Sequence, residues 1–413
     1  MHNPAVKHRL IIFSDDWGRH PSSCQHLAAR LVVDHPVLWV NTIGMRSPTL
    51  SREDIGKAWK KISSWVKPKP ESNSESEVTD DATSGQATRS VPENMTVINP
   101  RMWPGFRAGW QKKLNASLVT KAVHEALGPR EAGEKRTVIT TLPITADLIG
   151  KLDVDHWLYY CVDDFSVWPG LDASVMCEME QKQVGEVDQL VCVSETLLKR
   201  LLDMGRVSTM LTHGIDLDHW QPSYSAGVSQ SDVTADESAA KARKRFFSEL
   251  SGPILLFWGL IDTRLDMAWC RAVSEAGLGN LVMVGPQQSP DDTLGSLKGV
   301  TMWGSADYAD LPAMAQAADV LLMPYADLPV TRAMQPLKFK EYLATGKPVI
   351  ARALPGILEW ADAADLETDQ GVFIEKIKER LRDGLTAAQA DARQRLSDET
   401  WDHKARQLAA MID

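Results

Sequence analysis

The 413-residue sequence is poor in cysteine, in long apolar runs and in net positive charge. Its five cysteines, Cys24, Cys161, Cys177, Cys192 and Cys270, are an odd number with no two closer than 15 residues, so the spacing offers neither a disulfide framework nor a CxxC metal knuckle. The longest apolar stretches, such as Pro253–Ile261, fall far short of the roughly 18 residues that cross a bilayer. The chain start passes from polar residues straight into Leu10–Phe13 without a signal-peptide pattern, and the expectation is a cytoplasmic protein. Lys and Arg number 45 against 55 Asp and Glu, a net charge of −10, which argues against a nucleic-acid partner. Hydrophobic residues at 44% and charged residues at 24% exclude a disordered chain or a coiled-coil rod. At roughly 150 residues per domain the length indicates two or three domains.

What is present is a double series of short, bulky apolar runs alternating with helix-length segments, the pattern of βαβ units. In the first half Arg9–Phe13, Val37–Val40, Thr137–Thr140, His156–Val162 and Gln189–Val193 read as strands. In the second half Pro253–Trp258, Asn280–Val284, Val300–Trp303, Asp319–Met323 and Pro348–Ala351 do so again. The fold expected is α/β, with two Rossmann-like, doubly wound parallel-sheet domains at 1–215 and 216–413, facing a cleft. Lys67–Glu93 and Ser223–Ala235 lack an apolar period and carry Ser, Thr and acid (with Pro in the first), so they read as loops, the first a mobile insert. The crossing between domains falls at His213–Trp220, a helix at Asp236–Leu250 leads into the second sheet, and Asp398–Met411 reads as a closing helix of the second domain.

The segment Met323–Ala351, MPYADLPVTRAMQPLKFKEYLATGKPVIA, holds the most chemistry. Pro336 suits the first turn of a helix, Gly346 a left-handed cap, and Pro348 stops continuation before the next strand. The helix start at Pro336–Leu337 therefore faces the cleft end of a parallel sheet, with open amides and a positive dipole end that suit a phosphate. Lys338 adds a full charge, and Glu341, three residues on, offers a carboxylate for two sugar hydroxyls. The competing account is a surface helix whose Lys338 and Glu341 pair in solvent. Upstream, Gly259, Gly285 and Gly304 each close a strand and together read as a shared rim open to backbone approach. Arg264 is the fixed charge within reach of a diphosphate, unless Asp262 or Asp266 engages it.

In that order, FWGLIDTRLD, LVMVGP, a strand ending in Gly, ADVLLMPY and PLKFKEYLATGKPVIA, the sequence resembles the donor domain of family 4 glycosyltransferases with the two-Rossmann GT-B fold. VDQLVCVSETL and LTHGID look like the end of that family's acceptor domain and its crossing. The resemblance covers most of Leu10–Ala351. It implies retaining transfer from a nucleotide diphosphate sugar, with no metal and no other cofactor, to a glycan or lipid-linked acceptor. Glu341 matches the second of the family's paired glutamates, on the ribose, and Lys338 the turn near the diphosphate. The first glutamate is replaced by Ala333, and the arginine that follows the first glycine by Leu260, so the charge falls to Arg264 or Arg332.

Asp163 takes the place where the family commonly has a histidine facing the donor sugar, and is the expected catalytic residue; the alternative is that Asp163 or Asp164 caps the next helix. Gly18, Arg19 and His20 lie in the loop expected near acceptor and diphosphate. His20, Cys24 and His26 fit no structural zinc spacing. Asp153–Val154–Asp155 imitates a metal-binding DxD but precedes a strand, and reads as a capped turn.

The charge is uneven. Residues 52–70 hold six Lys and Arg against Glu53 and Asp54, with Trp59 and Trp65, and residues 101–113 hold Arg101, Arg107, Lys112 and Lys113 with Trp103 and Trp110. Such stretches suit an anionic membrane surface, here the inner face, or else form solvated faces with tryptophans packed inward. Two other functions share the fold: a sugar-nucleotide epimerase, and a non-catalytic binding protein.

Overall fold

The computed structural model describes residues 8–18, 22–42, 90–221 and 235–412. Two parallel sheets carry the architecture. The first has seven strands, β1 (His8–Ser14), β2 (Val37–Asn41), β3 (Met95–Ile98), β4 (Lys135–Thr140), β5 (His156–Cys161), β6 (Gln189–Cys192) and β7 (Thr209–Met210), in the order β3-β2-β1-β4-β5-β6-β7. The second has six, β8 (Ile254–Trp258), β9 (Asn280–Val284), β10 (Val300–Gly304), β11 (Val320–Met323), β12 (Val349–Arg352) and β13 (Asp365–Glu367), in the order β10-β9-β8-β11-β12-β13.

Central strands are apolar on both faces because helices cover both sides of a parallel sheet. β8 is buried at every position, and its register sets Leu255 beside both Leu281 and Val320. The unforeseen strands β3, β7 and β13 are short edges, half-buried or exposed, and lack the apolar run that marks a central strand. Chain order reverses between β1 and β4 and between β8 and β11. At such switch points the loops beyond the strand ends part and leave a crevice.

Each sheet has its own core, and the chain passes between them twice. The outward passage runs through Gly214 and Ile215, and the return through Glu399–Trp401. Ile215 N donates to Glu399 O at 2.8 Å and Trp401 N to Ile215 O at 3.1 Å. Gly214 is required here, since a β-carbon would lie 2.7 Å from the Trp401 indole. The closing helix, Trp401–Ile412, departs from expectation: Trp401, Ala405, Leu408 and Ile412 pack in the first core, not the second. Its apolar face meets Ser23–Leu31, where His26 stacks on Trp401 with centroids 4.7 Å apart. The periodicity of that helix marks an apolar face without naming its partner.

Lys340, only 3% exposed, is satisfied at the crossing: its ammonium donates to His213 O (2.6 Å) and pairs with Glu399, which also takes Lys404 at 2.8 Å. No helix among the described residues is long and apolar enough to cross a membrane.

Candidate active site

The ends of β8, β9 and β10 form a continuous rim. Gly259 N donates to Val284 O (2.9 Å), and Gly285 N to Gly304 O (2.7 Å). Gly259 and Gly285 have φ of 136° and 143°, a region side chains rarely enter. A β-carbon on Gly285 would stand 1.9 Å from Gly259 O, so the rim closes up only without side chains. Gly304 (φ 84°) has open space beside it.

Beyond β11 a short helix, Pro329–Ala333, precedes the helix of the motif, Leu337–Ala344. Pro336 sits one residue earlier than expected, at the extended capping position, and Gly346 takes the left-handed conformation (φ 74°). Leu337 turns toward the first core. One turn along the helix the two polar side chains part company. Lys338 reaches over Gly259: its Nζ donates to the Tyr325 hydroxyl at 2.6 Å and stands 4.6 Å from the Phe257 ring centre. Glu341 goes to the other side of β8, where Trp258 Nε1 donates to Oε2 (3.2 Å) and the Tyr308 hydroxyl to Oε1 (3.4 Å). The solvent-paired account of Lys338 and Glu341 therefore does not hold, because each has partners of its own on the sheet edge. Burial pushes the Glu341 carboxyl up to about 7, against the pull of Trp258, Lys338 and Tyr308.

Arg264 is nearly buried where the two lobes meet. Its guanidinium lies 5.3 Å from the ring centre of Trp168, in the opposite lobe, and 5.9 Å from that of Tyr325. It is not unengaged, however. Asp262 accepts from Nε at 3.0 Å and pairs with Nη2 at 2.9 Å, while Asp266 goes instead to Arg352. Arg332 is not brought to this group: its side chain, 57% exposed, forks onto Asp327. The paired carboxylate leaves it no net charge to offer, which spacing along the chain does not show.

Across from Arg264 lies Asp163. The two adjacent acids have separate tasks. Asp164 caps the 3-10 turn Phe165–Val167, accepting from Ser166 N at 3.0 Å, and pairs with Arg200 at 3.2 Å. Asp163 caps nothing. Loss of water pushes its carboxyl up to about 7, with the Arg264 charge opposing that rise. Arg200 also holds Glu180, whose other oxygen accepts from the buried Tyr159 hydroxyl (3.0 Å), so a polar network fixes the strand end beneath Asp163.

Ala333, where the family has its first glutamate, is 4% exposed and packs in the first core, while its carbonyl accepts from Ser194 Oγ at 3.0 Å. A carboxylate side chain there would be driven into apolar surroundings. Gly18 (φ 77°) donates its amide to Gln25 Oε1, and Gln25 in turn donates to Asp15, which fixes the loop after β1. Arg19 and His20 lie outside the described residues.

Asp153 and Asp155 pair with Arg130, and Asp155 also accepts from Arg136 N (2.8 Å), so this turn is structural. Among the described residues no three His, Cys, Asp or Glu are grouped as for a metal. Residues 52–70 lie outside the description. In 101–113, Arg107 pairs with Asp172 and Lys112 with Glu178, while Trp103 and Trp110 are exposed and touch edge to face at 5.3 Å. The residues around Glu341 and Arg264 that the linear reading overlooked are Trp258, Tyr308, Tyr325 and Trp168. Only Trp258 and Tyr325 had a local signal, at the strand end and in the loop already singled out.

Residues 263–388 match the family model described as Glycosyl transferases group 1. The putative teichuronic acid biosynthesis glycosyltransferase TuaH of Bacillus subtilis strain 168 is 27% identical over 248 residues, covering 56% of this chain and 59% of the relative. The chain thus spans little more than half of that relative's length. Among solved structures, sucrose-phosphate synthase from Thermosynechococcus elongatus has a TM-score of 0.66 at 16% identity, over 98% of either chain. Anabaena HepE, in complex with UDP and glucose, has a TM-score of 0.64 at 12% identity, over 98% of this chain and 99% of its own. Two parallel sheets joined by a double crossing, matched over nearly their whole length by these structures, have the GT-B fold. The chain thus carries a group 1 glycosyltransferase match over part of its second lobe, within a fold shared with GT-B glycosyltransferases.

Proposed function

We propose that this chain moves a sugar from a nucleotide diphosphate sugar to a glycan or lipid-linked acceptor. The observation that carries the reading is the divergence of Lys338 and Glu341 from one helix turn, the lysine over the glycine rim and the carboxylate beside it. A diphosphate seated over Gly259 meets the Lys338 ammonium, and a ribose beside it meets Glu341. Arg264, at the lobe junction, stands toward the phosphate that leaves.

In the transfer, the bond from the anomeric carbon to the diphosphate oxygen breaks and the nucleotide departs with the electron pair. An acceptor hydroxyl oxygen bonds to that carbon, and its proton passes to the departing diphosphate. Asp163, facing Arg264, orients a sugar hydroxyl or offsets positive charge at the anomeric carbon. Lys338 supplies the charge opposite the leaving diphosphate, while Arg264, already paired with Asp262, adds an N–H donor and not a net charge, and the reaction we propose draws on no metal. Retention of configuration follows the family resemblance and is read from the anomer of the product.

The glucose and UDP in HepE make UDP-glucose the first donor to test, and the biosynthetic role of the relative TuaH favours a polysaccharide acceptor. The exposed Trp103–Trp110 pair, flanked by Arg101 and Lys113, supports an anionic membrane surface as the place where a lipid-linked acceptor is met. The test is calorimetry with UDP and GDP, followed by a donor screen with mass-detected product. Binding of a nucleoside diphosphate, and sugar transfer only with an acceptor present, are expected. Absence of binding to either nucleotide overturns the reading.

A further inference from the structure

The carboxylate of Glu341 is held more fully than a lone ribose ligand requires, and the groups that hold it lead back to the crossing between the lobes. An ionised carboxylate has about four acceptor positions. Trp258 Nε1 fills one on Oε2 at 3.2 Å, and the Tyr308 hydroxyl one on Oε1 at 3.4 Å. Trp220, fully buried in the short crossing helix Leu217–Trp220, donates its Nε1 to the Tyr308 oxygen at 3.1 Å. With that oxygen engaged as an acceptor, the tyrosine proton is directed to Glu341. The rings are fixed as well. Trp220 stacks on Trp258 (5.2 Å, 8°), and His219 stacks on Tyr308 (4.2 Å, 1°) while its Nε2 meets Tyr308 O at 3.2 Å.

We infer that Tyr308 and Trp258 are positioning residues that orient the Glu341 carboxylate with one acceptor position of each oxygen filled, leaving one on each for two neighbouring sugar hydroxyls, and that Trp220 sets the Tyr308 proton from the crossing segment. This rests on the nucleotide-site reading above. Its consequence is selectivity for a ribonucleotide over a 2′-deoxyribonucleotide, since one vacant position on a desolvated carboxylate then goes unmatched. The charged and titratable groups around Glu341 are Lys338 and the buried Tyr342 on its own helix and Tyr308 from the loop after β10, with His219 and Asp216 of the crossing segment behind Tyr308. The carboxyl is pushed up to about 7 by burial, so ribonucleotide preference falls as the pH drops through that value. Loss of the Tyr308 hydroxyl moves this fall to higher pH, because one group that favours the ionised form is gone.

The test compares UDP with 2′-deoxy-UDP, and GDP with 2′-deoxy-GDP, by calorimetry between pH 5.5 and pH 9, in the full chain and in Tyr308→Phe and Trp258→Phe. The ratio of the two affinities cancels the titration of the diphosphate itself. The unaltered protein should prefer the ribonucleotide by about tenfold at pH 8. Tyr308→Phe, which keeps the ring and its stacking on His219, should lower that ratio severalfold and raise the pH at which it falls, and Trp258→Phe should do the same. If the ratio and its pH profile are unchanged, or if ribo and deoxy forms weaken equally, the positioning role is overturned while the nucleotide site stands. If neither nucleotide binds the unaltered protein, the underlying reading fails and this inference with it.

Discussion

The Lys338 ammonium lies where a side chain on residue 259 would begin: a β-carbon there would stand 1.8 Å from Nζ. The glycine at the end of β8 and the lysine in the helix Leu337–Ala344 are therefore one feature, 79 residues apart in sequence and joined at the switch point of the sheet. Gly259→Ala should displace Lys338 and strain the backbone, whose φ is 136°. We expect weaker nucleoside diphosphate binding in calorimetry and a melting temperature lower by several degrees. Binding that survives at full strength would separate Lys338 from the phosphates.

Glu341→Ala should weaken nucleotide binding by roughly 1–3 kcal/mol, the range for hydrogen bonds to a charged group. The loss should be similar for UDP and UDP-glucose, since in the proposed pose the carboxylate meets the ribose and not the sugar. An unchanged affinity removes Glu341 from the site.

Asp163→Asn should slow sugar transfer while sparing nucleotide affinity, because Asp163 stands on the opposite lobe from Lys338 and Glu341. A carboxyl pushed up to about 7 is protonated below that pH and ionised above it. If the ionised form assists transfer, the rate climbs as pH rises through about 7, and this climb should be absent from Asp163→Asn. A pH–rate profile of the same shape in both proteins would assign Asp163 a structural task.

At the crossing, Glu399→Gln leaves the buried Lys340 without its carboxylate and should cost on the order of 3 kcal/mol, read from denaturant unfolding. Burial would raise the Glu399 carboxyl, but Lys340 and Lys404 outweigh it and hold it below its usual value. Its stabilising contribution is thus complete above the unfolded value near 4.5 and fades as pH falls through the lower folded value. The gap between the two proteins should narrow in acid. A constant gap would mean that the pairing adds nothing to stability.

Replacing Trp103 and Trp110 by serine should reduce association with vesicles of anionic lipid in low salt, without altering nucleotide binding. No association by the unaltered protein would remove the membrane surface from the proposed function.

Much of the fold was legible because central strands of a parallel sheet are buried on both faces, and so appear as unbroken apolar runs such as Ile254–Trp258. Edge strands such as Thr209–Met210 carry no such mark. The helix bearing Lys338 and Glu341 was legible from its capping residues, which act within a few positions of one another. The partners of its side chains were not. Arg264 shows the difference: its presence near the rim follows from the loop, but its engagement by Asp262 and its contact with Trp168 depend on where the loop and the other lobe come to rest.

Chain chemistry alone determined the two alternating series of strands and helices, the glycines that end three neighbouring strands, and the helix start at Pro336, since each depends on local backbone limits and on the period of burial. Tertiary structure alone decided that Asp164 and not Asp163 serves as a cap, that Arg332 is neutralised by Asp327, that Ala333 packs against the first lobe, and that the closing helix returns to the first core. These outcomes rest on contacts between residues far apart in sequence, whose charges and apolar faces find partners only when the two sheets are assembled.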